Sequence, residues 1–543
     1  MADPGRSPAR ERVLFVGWDA ADAALVDRWC AQGRMPNLSR MRLRGASARM
    51  RTTADVFHVS AWPSIFTGTT ADKHGLYHAY VTKPGHQGLL RPRPDSTPFP
   101  FLWKLLSDRG MRCVVVDGFL TCPLQGLNGV QIVDWGSWSW FWEPTFSPES
   151  LGTEVRKRFG PYPAEDHSKV GIVPLEDFDG LRDRLLAGVR TKTDVVKWLM
   201  AREDWDFMLV VFGEAHPAGH YFWQFHDERF PSGSEATKAR LRHALGDVYA
   251  ALDRSLGELV QTAGETATVF VASGDGMGPN YSGSHLLPDV LGRMGMLKTA
   301  AGGRVAAASG RDSSGLSGGS LVAGVRNMIP KSIRMAVSNL LLSRAQQEKL
   351  SLHFKTAGID WRQTRAYQIE NANEGFIRIN LAGREPEGIV ARGGEYEKTR
   401  DVLLHTMQGL TNPDTGTRAV ADVHDIDRLC PGPCRSLMPD VVVTWNMDAR
   451  VTTRLRTERH GDAASSSPPW DITPYYTGNH CPNAFAVAAG PGIAPGATLD
   501  GTHILDLAPT ILLRYGIEPP EYMDGRPLEP LTSRPDSRPS VRA

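Results

Sequence analysis

Short apolar runs bounded by Asp, Gly or Ser recur along the chain: Val13–Val16, Cys113–Val116, Phe207–Phe212, Thr268–Ala272, Val441–Val443 and Phe485–Ala488. Runs this short and rich in β-branched residues, with no polar alternation, predict strands buried on both faces of a sheet. Between them the apolar spacing turns helical, as at Leu241, Leu245, Val248, Leu252, Leu256 and Leu259, which share one face. Such alternation predicts an α/β fold: a doubly wound, mostly parallel sheet with helices on both faces. The carboxyl edge of that sheet is where polar chemistry is expected.

The pattern changes in the second half. Gly302 to Gly319 is rich in Gly, Ser and Ala and reads as a linker, followed by a stretch containing the strand-like Ile377–Asn380 and a helix near Glu395–Met407. The expected organisation is a disordered N-terminus over 1–11, a first part of the α/β core over 12–300, a linker and inserted cap over 301–435, a second part of the core over 436–530 and a disordered tail over 531–543. No internal repeat is visible.

At 543 residues there is ample material for a large core with an insertion. The balance of 61 basic against 60 acidic residues argues against nucleic acid as a partner. No run of about 18 apolar residues occurs, and the polar, Pro/Arg-rich start lacks an apolar signal segment, so no membrane partner and a cytoplasmic location are expected. Six cysteines form no dense framework; Cys430 and Cys434 lack the second pair that a four-cysteine zinc site requires.

Several polar groups fall at predicted strand ends. Asp19 follows the first run and Asp275 follows Thr268–Ala272. Asp19, with Asp22 three residues on, is equally suited to capping a helix. Ser60, before Ala-Trp-Pro63, is either a helix entry or a nucleophile placed where backbone amides favour a phosphate. In Glu214-Ala-His216-Pro-Ala-Gly-His220, a helix starting near Pro217 puts both imidazoles on one face, within reach of one ion. Glu214 would add an oxygen ligand or orient a histidine. His480 precedes another strand-like run, and His58 lies two residues before Ser60. Asn373 and Arg378 are candidate substrate contacts, and Trp135, Trp138, Trp140 and Trp142 form an aromatic patch suited to a pocket or to the core. His74-Gly75 reads as a helix stop.

Taken together, Phe15-Val-Gly-Trp-Asp19, Ser60-Ala-Trp-Pro-Ser-Ile-Phe-Thr-Gly68, Lys73-His-Gly75, His216-x-x-Gly-His220, Ser273-Gly-Asp-Gly-Met277, Gly478-Asn-His480, Ile504–Ile511 and Met523–Leu528 resemble the type I phosphodiesterase/nucleotide pyrophosphatase group of the alkaline phosphatase superfamily. The resemblance implies an alkaline-phosphatase-like fold and hydrolysis of a small-molecule phosphate ester, with two divalent metal ions, zinc by family habit and manganese as the alternative. It implies Asp19, Ser60 and Asp275 at the first metal, with Ser60 as the nucleophile forming a seryl-phosphate, and His216, His220 and His480 at the second. Glu214 is an added acid beside them.

The chain departs from the family pattern at four points. Gly274-Asp275 stands where the pattern has Asp-His, and His216 stands where it has Asp. Counting back from Thr67-Gly68 puts His58 at the nucleophile's place; Ser60 is preferred because an imidazole cannot give an alkoxide. The sulfatase turn, Cys/Ser-x-Pro-x-Arg, is not matched by Ser60-Ala-Trp-Pro-Ser. Alternatives to the hydrolase are a phosphotransferase or mutase using the same seryl group, and a non-catalytic ligand-binding relative.

Overall fold

The first apolar run forms β1 (Arg12–Trp18), with Val13 to Trp18 almost wholly buried. In this computed structural model the described residues are 11–136, 144–164, 177–230, 234–299, 352, 355, 356 and, with breaks at 466 and 470–475, 358–533. The Gly302–Gly319 segment, both expected disordered ends (apart from residue 11 and the start of the tail) and Trp138, Trp140 and Trp142 lie outside them. Two compact units emerge, one from residues 1–76, 93–279 and 477–543, the other from 77–92 and 280–476.

The first unit is built on a nine-stranded sheet. In chain order its strands are β1, β2 (Ala46–Met50), β3 (Cys113–Val116), β4 (Gly129–Val133), β5 (Thr145–Ser147), β6 (Phe207–Phe212), β7 (Ala267–Ser273), β16 (Ala484–Ala489) and β17 (Ala497–Leu499). Their spatial order is β17-β2-β16-β7-β1-β6-β3-β4-β5. β7, β1, β6, β3 and β4 run parallel, whereas β16 and the edge strand β5 run antiparallel to their neighbours. Strands buried on both faces need apolar residues at every position, which is why the runs do not alternate. Phe15, Leu209, Val211 and Phe270 pack with Trp62, Phe66, Trp103 and Ile511 in one core. Burying each such side chain is worth roughly 1.5–3 kcal/mol.

Register brings the strand ends level. Gly17 pairs with Val211 on one side and Ala272 on the other, so Asp19, the start of the helix Ala215–His226 and Asp275 emerge at the same edge. A short ribbon of β8 (Gly276–Pro279) and β15 (Gly478–Cys481) follows, pairing His480 with Met277. Gly478 lies so close to the helix that a Cβ there would sit 2.2 Å from the Gly219 carbonyl oxygen, so only glycine allows this approach.

The motifs flanking the helix Ala61–Thr67 are structural. Gly68 and Gly75 end their helices at φ 66° and 78°. The Lys73 ammonium pairs with Asp524 at 2.6 Å, tying Lys73-His-Gly75 to the C-terminal Met523-Asp-Gly segment. His74 is buried: its Nδ1 accepts the Leu76 amide, which leaves Nε2–H to donate to Ser64 Oγ at 3.0 Å. Burial lowers its pKa from 6.5 to about 3. The folded state thus favours the neutral ring, and its contribution is complete above pH 6.5 and is lost as pH falls towards 3. The loss is about 1.4 kcal/mol per pH unit. His74→Asn, which keeps an acceptor and a donor but cannot titrate, is expected to show a smaller fall in urea midpoint between pH 6.5 and 4 than the parent. Equal slopes would refute the assignment.

The second unit carries a four-stranded antiparallel sheet of β9 (Ala366–Ile369), β10 (Gly375–Ile379), β11 (Val420–Asp425) and β12 (Val441–Trp445), in the order β11-β12-β10-β9, and a hairpin of β13 (Arg454–Thr457) and β14 (Gly461–Ala464). The Val441–Val443 run was expected in the parallel core; it pairs here instead, because a short apolar run fits any doubly buried strand. The expected helix near 395–407 spans Gly394–Gln408. Cys30, Cys113, Cys122 and Cys481 are free thiols. Among the described residues no helix is long and apolar enough to cross a membrane.

Candidate active site

The roles that sequence left open at the first strand end separate cleanly. Asp22 is the helix cap, its Oδ1 accepting from the amides of Ala24 and Leu25. Asp19 is not a cap. Its Oδ1 accepts from Trp62 Nε1–H at 2.7 Å and its Oδ2 from His216 Nδ1 at 2.8 Å. Gly17 makes room for Trp62, since a Cβ there would lie 2.5 Å from the indole.

The helix Ala215–His226 begins two residues earlier than expected, with Glu214 at its N-cap, and sets His216 and His220 one turn apart. Their Nε2 atoms lie 3.0 Å from each other. His220 Nδ1 donates to the Gly478 carbonyl at 2.8 Å, and Thr477 N–H returns a bond to the His220 carbonyl. From the β8–β15 ribbon, His480 donates its Nδ1–H to Asp275 Oδ2 at 2.6 Å. One nitrogen from each of His216, His220 and His480 falls within 4.8 Å of the others, all three residues being buried. Burial, with the neighbouring imidazoles adding to it, holds His220 and His480 well below the usual histidine range and so neutral.

His58 completes the group. Its ring stacks on His480 with centroids 4.4 Å apart and planes inclined by 26°, and it is half-buried where the other three are buried. The structure therefore brings together Asp19, His58, His216, His220, Asp275 and His480.

Four expected site residues are placed elsewhere. Ser60 does stand at the entry of the helix Ala61–Thr67, but it is wholly buried with Oγ 2.6 Å from the Phe57 carbonyl and 2.7 Å from Thr53 Oγ1. That hydroxyl is turned into the wall, two residues beyond the His58 ring that faces the cluster. Glu214 points away from the histidines: its Oε1 accepts from Tyr162 O–H at 2.6 Å, and burial pushes its carboxyl up against the pull of Lys192. Arg378 is fully buried in the second unit, with Nε on Glu385 and its other nitrogens on the Met438 and Ser436 carbonyls, so it is an internal ion pair. Asn373 sits in a turn in the same unit, its amide N–H bonded to Asn371 Oδ1 and its Nδ2 to Glu374.

Two partners were missed from the sequence: Trp62, which fixes Asp19, and the Gly478 carbonyl, which fixes His220. Neither contact has a local signal, because the partners are 43 and 258 residues apart.

The imidazoles and carboxylates thus gather at the carboxyl edge of an α/β sheet, where such folds bind their ligands. The chain belongs to the type I phosphodiesterase/nucleotide pyrophosphatase family, whose model matches residues 13–320, and so to the phosphoester hydrolases of the alkaline phosphatase superfamily. No curated protein matches it. Among solved structures it is similar to phosphonoacetate hydrolase from Sinorhizobium meliloti 1021, at 13% identity over 92% of this chain and 94% of that one, with a TM-score of 0.48. It is also similar to human ectonucleotide pyrophosphatase/phosphodiesterase 5, at 11% identity over 95% and 97% of the two chains, with a TM-score of 0.46.

Proposed function

We propose that this chain is a metal-dependent hydrolase of small phosphoric esters, with phosphodiesters as the first substrate class. The observation that carries this reading is the convergence of the His216, His220 and His480 ring nitrogens beside a more exposed imidazole, His58, in a member of this family. The donor set suits a divalent ion of the zinc type. Two nitrogens each about 2.0–2.1 Å from one tetrahedral ion would be separated by roughly 3.3 Å, near the 3.0 Å between His216 and His220. A bound ion would supply Lewis-acid stabilisation of charge on the transferring phosphoryl group.

The remaining work falls to the chain's own residues. Asp19 and Asp275 each accept a hydrogen bond from an Nδ1–H and so hold His216 and His480 in fixed orientations. His58, the accessible imidazole, is placed to take a proton from attacking water or to give one to the leaving ester oxygen. Ser60, with its oxygen bound into the wall, is not placed to attack phosphorus, which favours water over a seryl-phosphate intermediate.

The test is hydrolysis of bis-p-nitrophenyl phosphate and p-nitrophenyl phosphate by the parent, by chelator-stripped protein with and without zinc or manganese returned, and by Ser60→Ala. Activity lost on stripping and regained with metal, with Ser60→Ala within about tenfold of the parent, is the expected result. Ester hydrolysis indifferent to stripping would sink the metal-dependent reading, and loss of turnover in a folded Ser60→Ala would restore the seryl route.

A further inference from the structure

The hydrogen bonds around the three buried histidines fix more than their orientation. The Gly478 carbonyl can only accept, so His220 must carry its proton on Nδ1, which leaves Nε2 as the unprotonated ring nitrogen. The carboxylates of Asp19 and Asp275 likewise draw the protons of His216 and His480 to Nδ1, at 2.8 and 2.6 Å. Three Nε2 lone pairs are thereby turned inwards. Those of His216 and His220 are 3.0 Å apart, a distance at which two lone pairs repel unless a metal ion or a proton lies between them.

The two carboxylates lie behind the histidine rings, on their Nδ1 side. Both Asp19 oxygens accept hydrogen bonds, one from Trp62 and one from His216, and Asp275 clasps His480. Position 274 offers no further acid: it is glycine, and a Cβ there would lie 2.7 Å from Ala61 Cβ, so the helix Ala61–Thr67 occupies the space a side chain would need. Glu214, the other nearby acid, is turned towards Tyr162.

We infer that this chain holds a single metal ion, on the Nε2 atoms of His216, His220 and His480, with Asp19 and Asp275 as positioning residues behind the ligands. The inference rests on the metal-dependent reading above and departs from the two ions that the family resemblance implies. A site of three neutral imidazoles keeps the full charge of the ion, whereas each carboxylate ligand would cancel part of it. It leaves a fourth position for a phosphoryl oxygen or water, as in open three-ligand centres.

The experiment is equilibrium dialysis of chelator-stripped full-length protein against zinc alone, with zinc per chain read by elemental analysis and affinity by calorimetry. One ion per chain is expected for the parent. His216→Ala should lose stoichiometric binding. Asp19→Asn and Asp275→Asn should each keep one ion, bound about 10- to 100-fold more weakly, with circular dichroism confirming that each variant is folded. Two ions in the parent, one of them lost in Asp19→Asn, would overturn the inference while leaving the hydrolase reading intact. No bound zinc would overturn both.

Discussion

His220→Ala is expected to lower kcat/KM on bis-p-nitrophenyl phosphate by at least about 10³-fold, equivalent to roughly 4 kcal/mol of transition-state stabilisation. The size follows from the position. His220 is held by the Gly478 backbone carbonyl, whereas Asp19 and Asp275 stand behind His216 and His480. Its removal opens a gap beside His216 Nε2 and withdraws one of three nitrogens that converge within 4.8 Å. The global fold should survive, because Thr477 bonds to the backbone carbonyl of residue 220 and not to its side chain. His243→Ala, at an exposed position on another segment, serves as the control and should stay at the parent's rate. If His220→Ala kept more than a tenth of the parent's activity, the histidine cluster would not be the centre of the chemistry.

The largest effect on stability is expected at Lys192, in a second polar cluster at the same sheet edge. Lys192 and Asp117 are both wholly buried, with Nζ 2.9 Å from Asp117 Oδ2. The same ammonium donates to the carbonyls of Gly136 and Val211, so its three protons are all used. Asp117 also accepts the amides of Trp135 and Gly136, from a left-handed backbone at φ 56° that Asp and Asn tolerate. Lys192→Met therefore strands a buried carboxylate and should cost about 3–5 kcal/mol, read as a fall in the urea midpoint. Adding Asp117→Asn removes the stranded charge and should recover a large part of the loss. A Lys192→Met midpoint within about 1 kcal/mol of the parent's would mean that water or the neighbouring amides already compensate Asp117.

Several of the residues that gather at this sheet edge were legible along the chain. Asp19 and Asp275 were identified by their place after short apolar runs, and His216 and His220 by helical spacing after a strand, because strand ends and helix faces are local properties of sequence. Glu214 carried the same signals and belongs elsewhere: it stands at a helix start, where a rotation of one residue decides which side a carboxylate faces. Ser60 and His58 are two residues apart in a short turn, and composition cannot say which of the two faces inwards. The Val441–Val443 run was a correct strand in the wrong sheet.

The sequence by itself determined the α/β alternation and the sheet edge at which these carboxylates and histidines gather, since periodicity and strand-end placement depend on near neighbours. Tertiary structure alone decided which group faces each imidazole and which acids lie against the histidines. Those outcomes depend on contacts such as His220 with Gly478 and His480 with Asp275, 258 and 205 residues apart, which no local pattern encodes.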